Sequence, residues 1–159
     1  MAAKLARAND PVEAIGSAQQ LELRAGELYT ILSRRSSNPS MRSLFDYLAL
    51  EEQRHYDSLS SWRSHLNGRK PTPRAGDTRV GEGWDRGTVP QELTSAEQEV
   101  LLAAQRAETT AQRFYDDLAR VHRGRELADV FTALATEEKH HVELIEWLYG
   151  EETRFRLET

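Results

Sequence analysis

The chain has 159 residues, a formal net charge of −5 with acidic and basic residues intermixed, and no cysteine. Without cysteine there are no disulfides, no thiolate zinc or rubredoxin-type iron centres and no thiol nucleophile, which agrees with a reducing cytoplasmic setting. The longest apolar runs are a few residues, too short to cross a membrane. Residues 1–7 lack the apolar stretch of a signal peptide, and no basic cluster marks a nucleic-acid surface. The length suits one domain able to bury a core without covalent staples.

The expected elements are all helices. The first runs over about 11–35, opened by Asn9 and Asp10 as caps, with Pro11 in its first turn. Ser36, Ser37, Asn38 and Pro39 stop it and start a second helix over about 39–66, which ends at Asn67 and Gly68. Residues 68–93 are rich in glycine and proline and read as a long crossover, with Trp84 expected to pack on the bundle surface. Thr94 and Glu97 form a capping-box pattern ahead of a third helix over about 95–123, stopped at Gly124. A fourth helix fills 125–149 and is expected to close at Gly150, leaving 151–159 as a mobile tail. Short links make helices one and two, and three and four, antiparallel hairpins. At roughly 3.3 Å per extended residue the crossover can return along a helix of roughly 42 Å. The fold expected is an all-α antiparallel four-helix bundle made of two hairpins.

The hairpins repeat each other. At an offset of 86 positions, residues 18–55 show thirteen identities with no gap. Among them are Glu22 with Glu108, Tyr29 with Tyr115, Glu51 with Glu137, Glu52 with Glu138 and His55 with His141. Duplicated hairpins packed face to face give a pseudo-two-fold bundle, so a site on the axis would draw matching residues from both halves.

Acids lie where the core should be. Helix two carries Leu44, Leu48, Glu52, His55, Leu59 and Trp62 along one face, and helix four repeats this with Leu134, Glu138, His141, Ile145 and Leu148. Helix one reads Ile15, Gln19, Glu22, Ala25, Tyr29, Leu32, and helix three reads Leu101, Gln105, Glu108, Ala111, Tyr115, Leu118. Four buried carboxylates without basic partners would cost several kcal/mol each. Two divalent cations would balance them, and carboxylate with imidazole suits iron or manganese, with zinc as a further choice. Glu52 and His55 taken alone would read as a surface pair; duplication and register make Glu22, Glu52, His55, Glu108, Glu138 and His141 the expected metal ligands. No catalytic residue is expected beyond them.

Gln19 and Gln105, one turn before the glutamates, are candidates for hydrogen bonds to metal-bound carboxylates. Tyr29 and Tyr115 read first as core packing, and second as hydrogen-bond donors or electron relays to the site. Glu51 and Glu137 sit one step off the seam, as solvated or supporting groups. His65, His122 and His140 are expected at the surface.

The segments A-Q-x-x-E-x-x-A-x-x-x-Y and F-x-x-L-A-x-E-E-x-x-H, each present twice, resemble the rubrerythrin branch of the ferritin-like superfamily over about 12–149. The resemblance implies two metal ions per chain, iron foremost, and reaction with O₂ or H₂O₂ of the ferroxidase or peroxide-scavenging type. It also implies an external electron donor and a homo-oligomer, a dimer in the simplest case. Two departures stand out. There is no cysteine-ligated rubredoxin domain, and Ala111, like Ala25, stands where the family usually adds a glutamate after the third-helix ligand. The alternative from another class is a metal-storage or structural bundle holding zinc or manganese without turnover.

Overall fold

The computed structural model describes residues 9–68, Trp84 and residues 92–158. It holds four helices in order, α1 (Pro11–Arg35), α2 (Pro39–Leu66), α3 (Ser95–Val121) and α4 (Glu126–Glu158), with no strand among the described residues. The architecture is a ferritin-like four-helix bundle. Most of the expected crossover, 69–83 and 85–91, lies outside the described residues, as do residues 1–8.

The helix starts follow local chemistry. Asp10 accepts a hydrogen bond from the Val12 N–H ahead of Pro11, and Asn38 accepts from the N–H groups of Ser40 and Met41 ahead of Pro39. Thr94 and Glu97 form the reciprocal capping box. Gly68 after α2 and Gly124 after α3 have φ of +70° and +85°, the left-handed conformation that stops a helix.

The fourth helix corrects the expected boundary. Gly150 does not close it, and the backbone stays helical through Glu158. Gly150 is not among the positive-φ glycines. A glycine in helical conformation costs about 1 kcal/mol against alanine but does not terminate a helix, and no proline follows it.

Two apolar layers hold the bundle. One gathers Ile15 and Ala18 of α1, Leu59 and Trp62 of α2, Tyr115 and Leu118 of α3, and Leu127, Phe131 and Leu134 of α4. The other gathers Tyr29, then Leu44, Phe45 and Leu48, then Leu101 and Ala104, then Ile145 and Leu148. The start of α1 therefore meets the end of α3, and these two helices run antiparallel, as do the members of each hairpin. The chain leaves α2 at one layer and enters α3 at the other, so the crossover joins opposite ends. Trp84 packs against the second layer, donates its indole N–H to Ser43 Oγ at 2.9 Å and meets Trp147 edge-on at 5.5 Å. Between the layers, on every helix, lie the acids and histidines of the repeat.

His122 corrects a second expectation. It is fully buried, lying tilted against Phe131 with ring centroids 5.6 Å apart. It caps α3, its backbone N–H donating to the Leu118 and Arg120 carbonyls. His65 is half-buried, edge-on to Trp62, while His140 is exposed as expected.

These backbone conformations predict opposite effects for two glycine-to-alanine changes. Gly124→Ala places a Cβ at positive φ and should lower unfolding free energy by about 1 kcal/mol. At Gly16, mid-helix with nothing within 4 Å of an added Cβ, Gly16→Ala should raise it by about 0.5–1 kcal/mol. Urea midpoints of the metal-free proteins measure both.

Candidate metal centre

The repeat delivers one polar layer. Glu22, Glu52, His55, Glu108, Glu138 and His141 are all at most 3% exposed. The spacing that puts each on the core face also brings them together. Ligand atoms of Glu22, Glu52, His55 and Glu138 lie within 4.8 Å of one another, and so do those of Glu52, Glu108, Glu138 and His141. Glu52 and Glu138 belong to both sets, Glu22 and Glu108 to one each, and each set has one histidine. Every expected ligand is thus in the cluster.

Both imidazoles present Nδ1 to the carboxylates. His55 Nδ1 is 3.4 Å from Glu22, 3.4 Å from Glu52 and 3.3 Å from Glu138. His141 Nδ1 is 3.3 Å from Glu52, 3.5 Å from Glu108 and 3.1 Å from Glu138. The rings stack at 5.5 Å. Glu137 orients His55 from behind, its carboxylate 2.5 Å from Nε2. A carboxylate on the far nitrogen fixes the tautomer and leaves Nδ1 free as a donor atom. Glu51, the repeat mate of Glu137, instead accepts from the Arg54 guanidinium at 2.7 Å. Arg54 stands where the second half has His140, so the repeat breaks at this pair.

The tyrosines do more than pack. The Tyr29 hydroxyl donates to Glu108, and the Tyr115 hydroxyl donates to Glu22. Each serves the glutamate of the other hairpin, because α1 and α3 run antiparallel. Gln19 and Gln105 correct the expectation placed on them. Gln19 donates to Ser60 at 2.7 Å and accepts from Arg63, and Gln105 donates to Glu146 at 2.7 Å. Each reaches sideways within its own hairpin, rather than along the seam to the glutamate a turn away.

Protons and charge divide unevenly in the metal-free site. Burial pushes the Glu52 carboxyl well above its usual range, and the charges of Glu138, Glu22 and Glu108 push it further. Burial with the charges of Glu108 and Glu22 raises Glu138 to about 8. Burial also opposes ionisation of Glu108, but hydrogen bonds from Glu138, His141 and Tyr29 with the His141 charge outweigh it, to about 2. Glu22 is lowered in the same way by Glu52, His55 and Tyr115 against the effect of burial. Burial disfavours charge on both histidines, yet the facing carboxylates raise them well above their usual value. In the metal-free layer Glu22 and Glu108 thus favour the ionised form, Glu52 and Glu138 the neutral acid, and both histidines the imidazolium.

Several donor atoms have no hydrogen bond: Glu22 Oε2, both oxygens of Glu52, Glu138 Oε1 and His55 Nδ1. Buried polar atoms are rarely left so. A cation in each set would give these five atoms a partner. Four carboxylates and two neutral imidazoles balance two divalent ions, and hard oxygen with imidazole fits iron, manganese or zinc.

Fold and site together define a four-helix carboxylate–histidine protein of the di-metal type, one Glu from each of two helices and Glu-x-x-His from each of the others. The family model described as Rubrerythrin matches residues 13–81 and 99–156. The chain belongs to the rubrerythrin family, which implies a di-metal site. No curated protein matches the chain, and no solved structure does. Among the described residues no helix is long and apolar enough to cross a membrane.

The protonation pattern predicts that metal loading releases protons. Glu52, Glu138, His55 and His141 all carry raised pKa values, which favours their protonated forms without metal, and each must lose its proton to ligate. Filling both sets at pH 7 should release about four protons per chain, and affinity should fall as pH is lowered. Above pH 8 the number should drop, as Glu138 begins to ionise by itself. Calorimetric titration with Mn(II) in buffers of different ionisation enthalpy counts the protons.

Proposed function

We propose that the chain is a di-iron oxidoreductase that reacts with O₂ or H₂O₂, with Glu22, Glu52, His55, Glu108, Glu138 and His141 as ligands. The observation that carries this reading is the pair of donor sets sharing Glu52 and Glu138. Shared carboxylates hold two ions close enough to act on one small molecule. A bound pair of ferrous ions supplies two electrons, the number that takes H₂O₂ and two protons to two waters.

The chain's own residues set the conditions around that chemistry. Tyr29 and Tyr115 hold the unshared carboxylates by hydrogen bonds and stay protonated, since burial and the charges of Glu108 and Glu22 raise their pKa values well above the usual range. Glu137 fixes the His55 ring. The apolar layers on either side keep bulk water from the acids. Between α1 and α3 a cleft of about 310 Å³, lined by Leu21, Ala25, Leu28, Ala107 and Ala111 among others, reaches Glu52, Glu108 and Glu138. An apolar opening of that size admits O₂ and H₂O₂ and offers little to a charged substrate.

Ala25 and Ala111 keep this cleft open and cannot ligate. With alanine at both places, an ion held in either set would have one histidine, His55 or His141, among its ligands. Ala111→Glu would add a carboxylate to the cleft wall beside Glu108 and Glu138. It should raise the rate of Fe(II) oxidation by H₂O₂ relative to that by O₂. The test is anaerobic Fe(II) loading followed by each oxidant in parallel, with absorbance followed for both proteins. If neither oxidant changes the iron-loaded protein, the redox reading is wrong, and a storage or structural role with zinc or manganese takes its place. If Ala111→Glu leaves the rate ratio unchanged, the role given to the alanines is wrong.

A further inference from the structure

The two hairpins repeat in sequence but differ on their outer faces. On the first, a groove of about 410 Å³ runs between α1 and α2, walled by Leu23, Gly26, Glu27, Ile31 and Ala49 and floored by Glu22 and Glu52. Glu22 and Glu52, which line it, each have carboxylate oxygens that are buried and without hydrogen bonds. It is separate from the apolar α1–α3 cleft and more polar, with Thr30, Gln53 and Tyr56 also on its walls.

Gly26 gives the groove its depth. An added Cβ there would lie 3.7 Å from the Glu52 Cβ and 4.0 Å from the Ala49 carbonyl oxygen. At the repeat offset the second hairpin has Gln112 in this place, so its outer face carries a long side chain where the first has none. The residues flanking the ligands differ in charge as well. Glu27, one residue from Gly26, is matched by Arg113, and Gln53, next to Glu52, is matched by Lys139. Further along, Arg34 lines the first groove and has Arg120 as its mate, while Thr30 and Ile31 are matched by Asp116 and Asp117. Asp117 is paired with Arg120. Next to the ligands, then, the first hairpin presents an acid and an amide, and the second presents two cations.

We propose that the α1–α2 groove is the route by which divalent cations reach the buried carboxylates, and that this entry is one-sided, with Gly26 and Glu27 as its determinants. The inference rests on the di-metal reading above and adds how the site is filled. A cation drawn to Glu27 enters a groove that Glu22 and Glu52 also line. On the second hairpin it would meet Arg113 and Lys139 and find the way filled by Gln112. Cations and oxidant then approach through different openings, the polar one between α1 and α2 and the apolar one between α1 and α3.

The test is stopped-flow uptake of Co(II) by the metal-free protein, followed by its visible absorption and by final metal content. Gly26→Gln, which copies the second hairpin, and Glu27→Arg, at an exposed position, should each slow uptake by about tenfold, the scale of electrostatic focusing in a cleft. Both should still end at two Co(II) per chain with unchanged helicity. Arg113→Ala on the other hairpin should leave the rate within about twofold of wild type, as a site outside the focusing cleft does. The route is overturned if Gly26→Gln and Glu27→Arg load at the wild-type rate while still binding two ions, or if Arg113→Ala changes uptake as much as they do. A wild-type protein that takes up no Co(II) overturns the route and the di-metal reading together.

Discussion

Four carboxylates share one dry layer with two imidazoles, and everything else in the bundle accommodates that. Separately ionised, such groups would repel strongly at the distances seen, and each would carry a desolvation penalty of several kcal/mol. The layer escapes this in two ways. Without metal, the surroundings favour ionised Glu22 and Glu108 facing charged imidazoles, and the neutral acids at Glu52 and Glu138. With two divalent cations, all four acids ionise and the imidazoles become neutral donors.

The helices are arranged to hold that layer rigid. An apolar layer lies on each side of it, each with contributions from all four helices, so the acids cannot reach water by a small tilt of one helix. Antiparallel packing of α1 against α3 places each tyrosine over the opposite glutamate. The hydroxyls therefore tie the two hairpins together across the site as well as orienting the carboxylates. Duplication explains the matching ligands. The duplication is broken at Gly26 against Gln112, Arg54 against His140 and Glu27 against Arg113.

The sequence made the helices, their caps, the repeat and the six clustered residues legible, because all depend on local chemistry or on helical periodicity. Asp10, Asn38 and Thr94 cap where their side chains predict, and the spacing of Glu52 and His55 between Leu48 and Leu59 survives as burial. Other features depend on what lies across the bundle, where periodicity gives no direction. Gln19 and Gln105 share the seam register with their glutamates, yet neighbours Ser60 and Glu146 claim their amides. Glu137 sits one step off the seam on its own helix, and only the path of α2 brings His55 to it. His122 reads as a polar residue near a helix end, yet it is buried with its ring against Phe131 of the next helix. Gly150 reads as a stop, but a glycine stops a helix only when its φ turns positive, and this one's does not.

The most direct measurement is the anomalous difference map of a crystal loaded with Mn(II), recorded where manganese scatters anomalously. Two peaks in the polar layer are expected, about 3.5–4 Å apart as in other two-metal sites. Both should lie between Glu52 and Glu138, one beside Glu22 and His55 and the other beside Glu108 and His141. A single peak, or peaks only at surface carboxylates with the layer empty, would contradict the di-metal assignment.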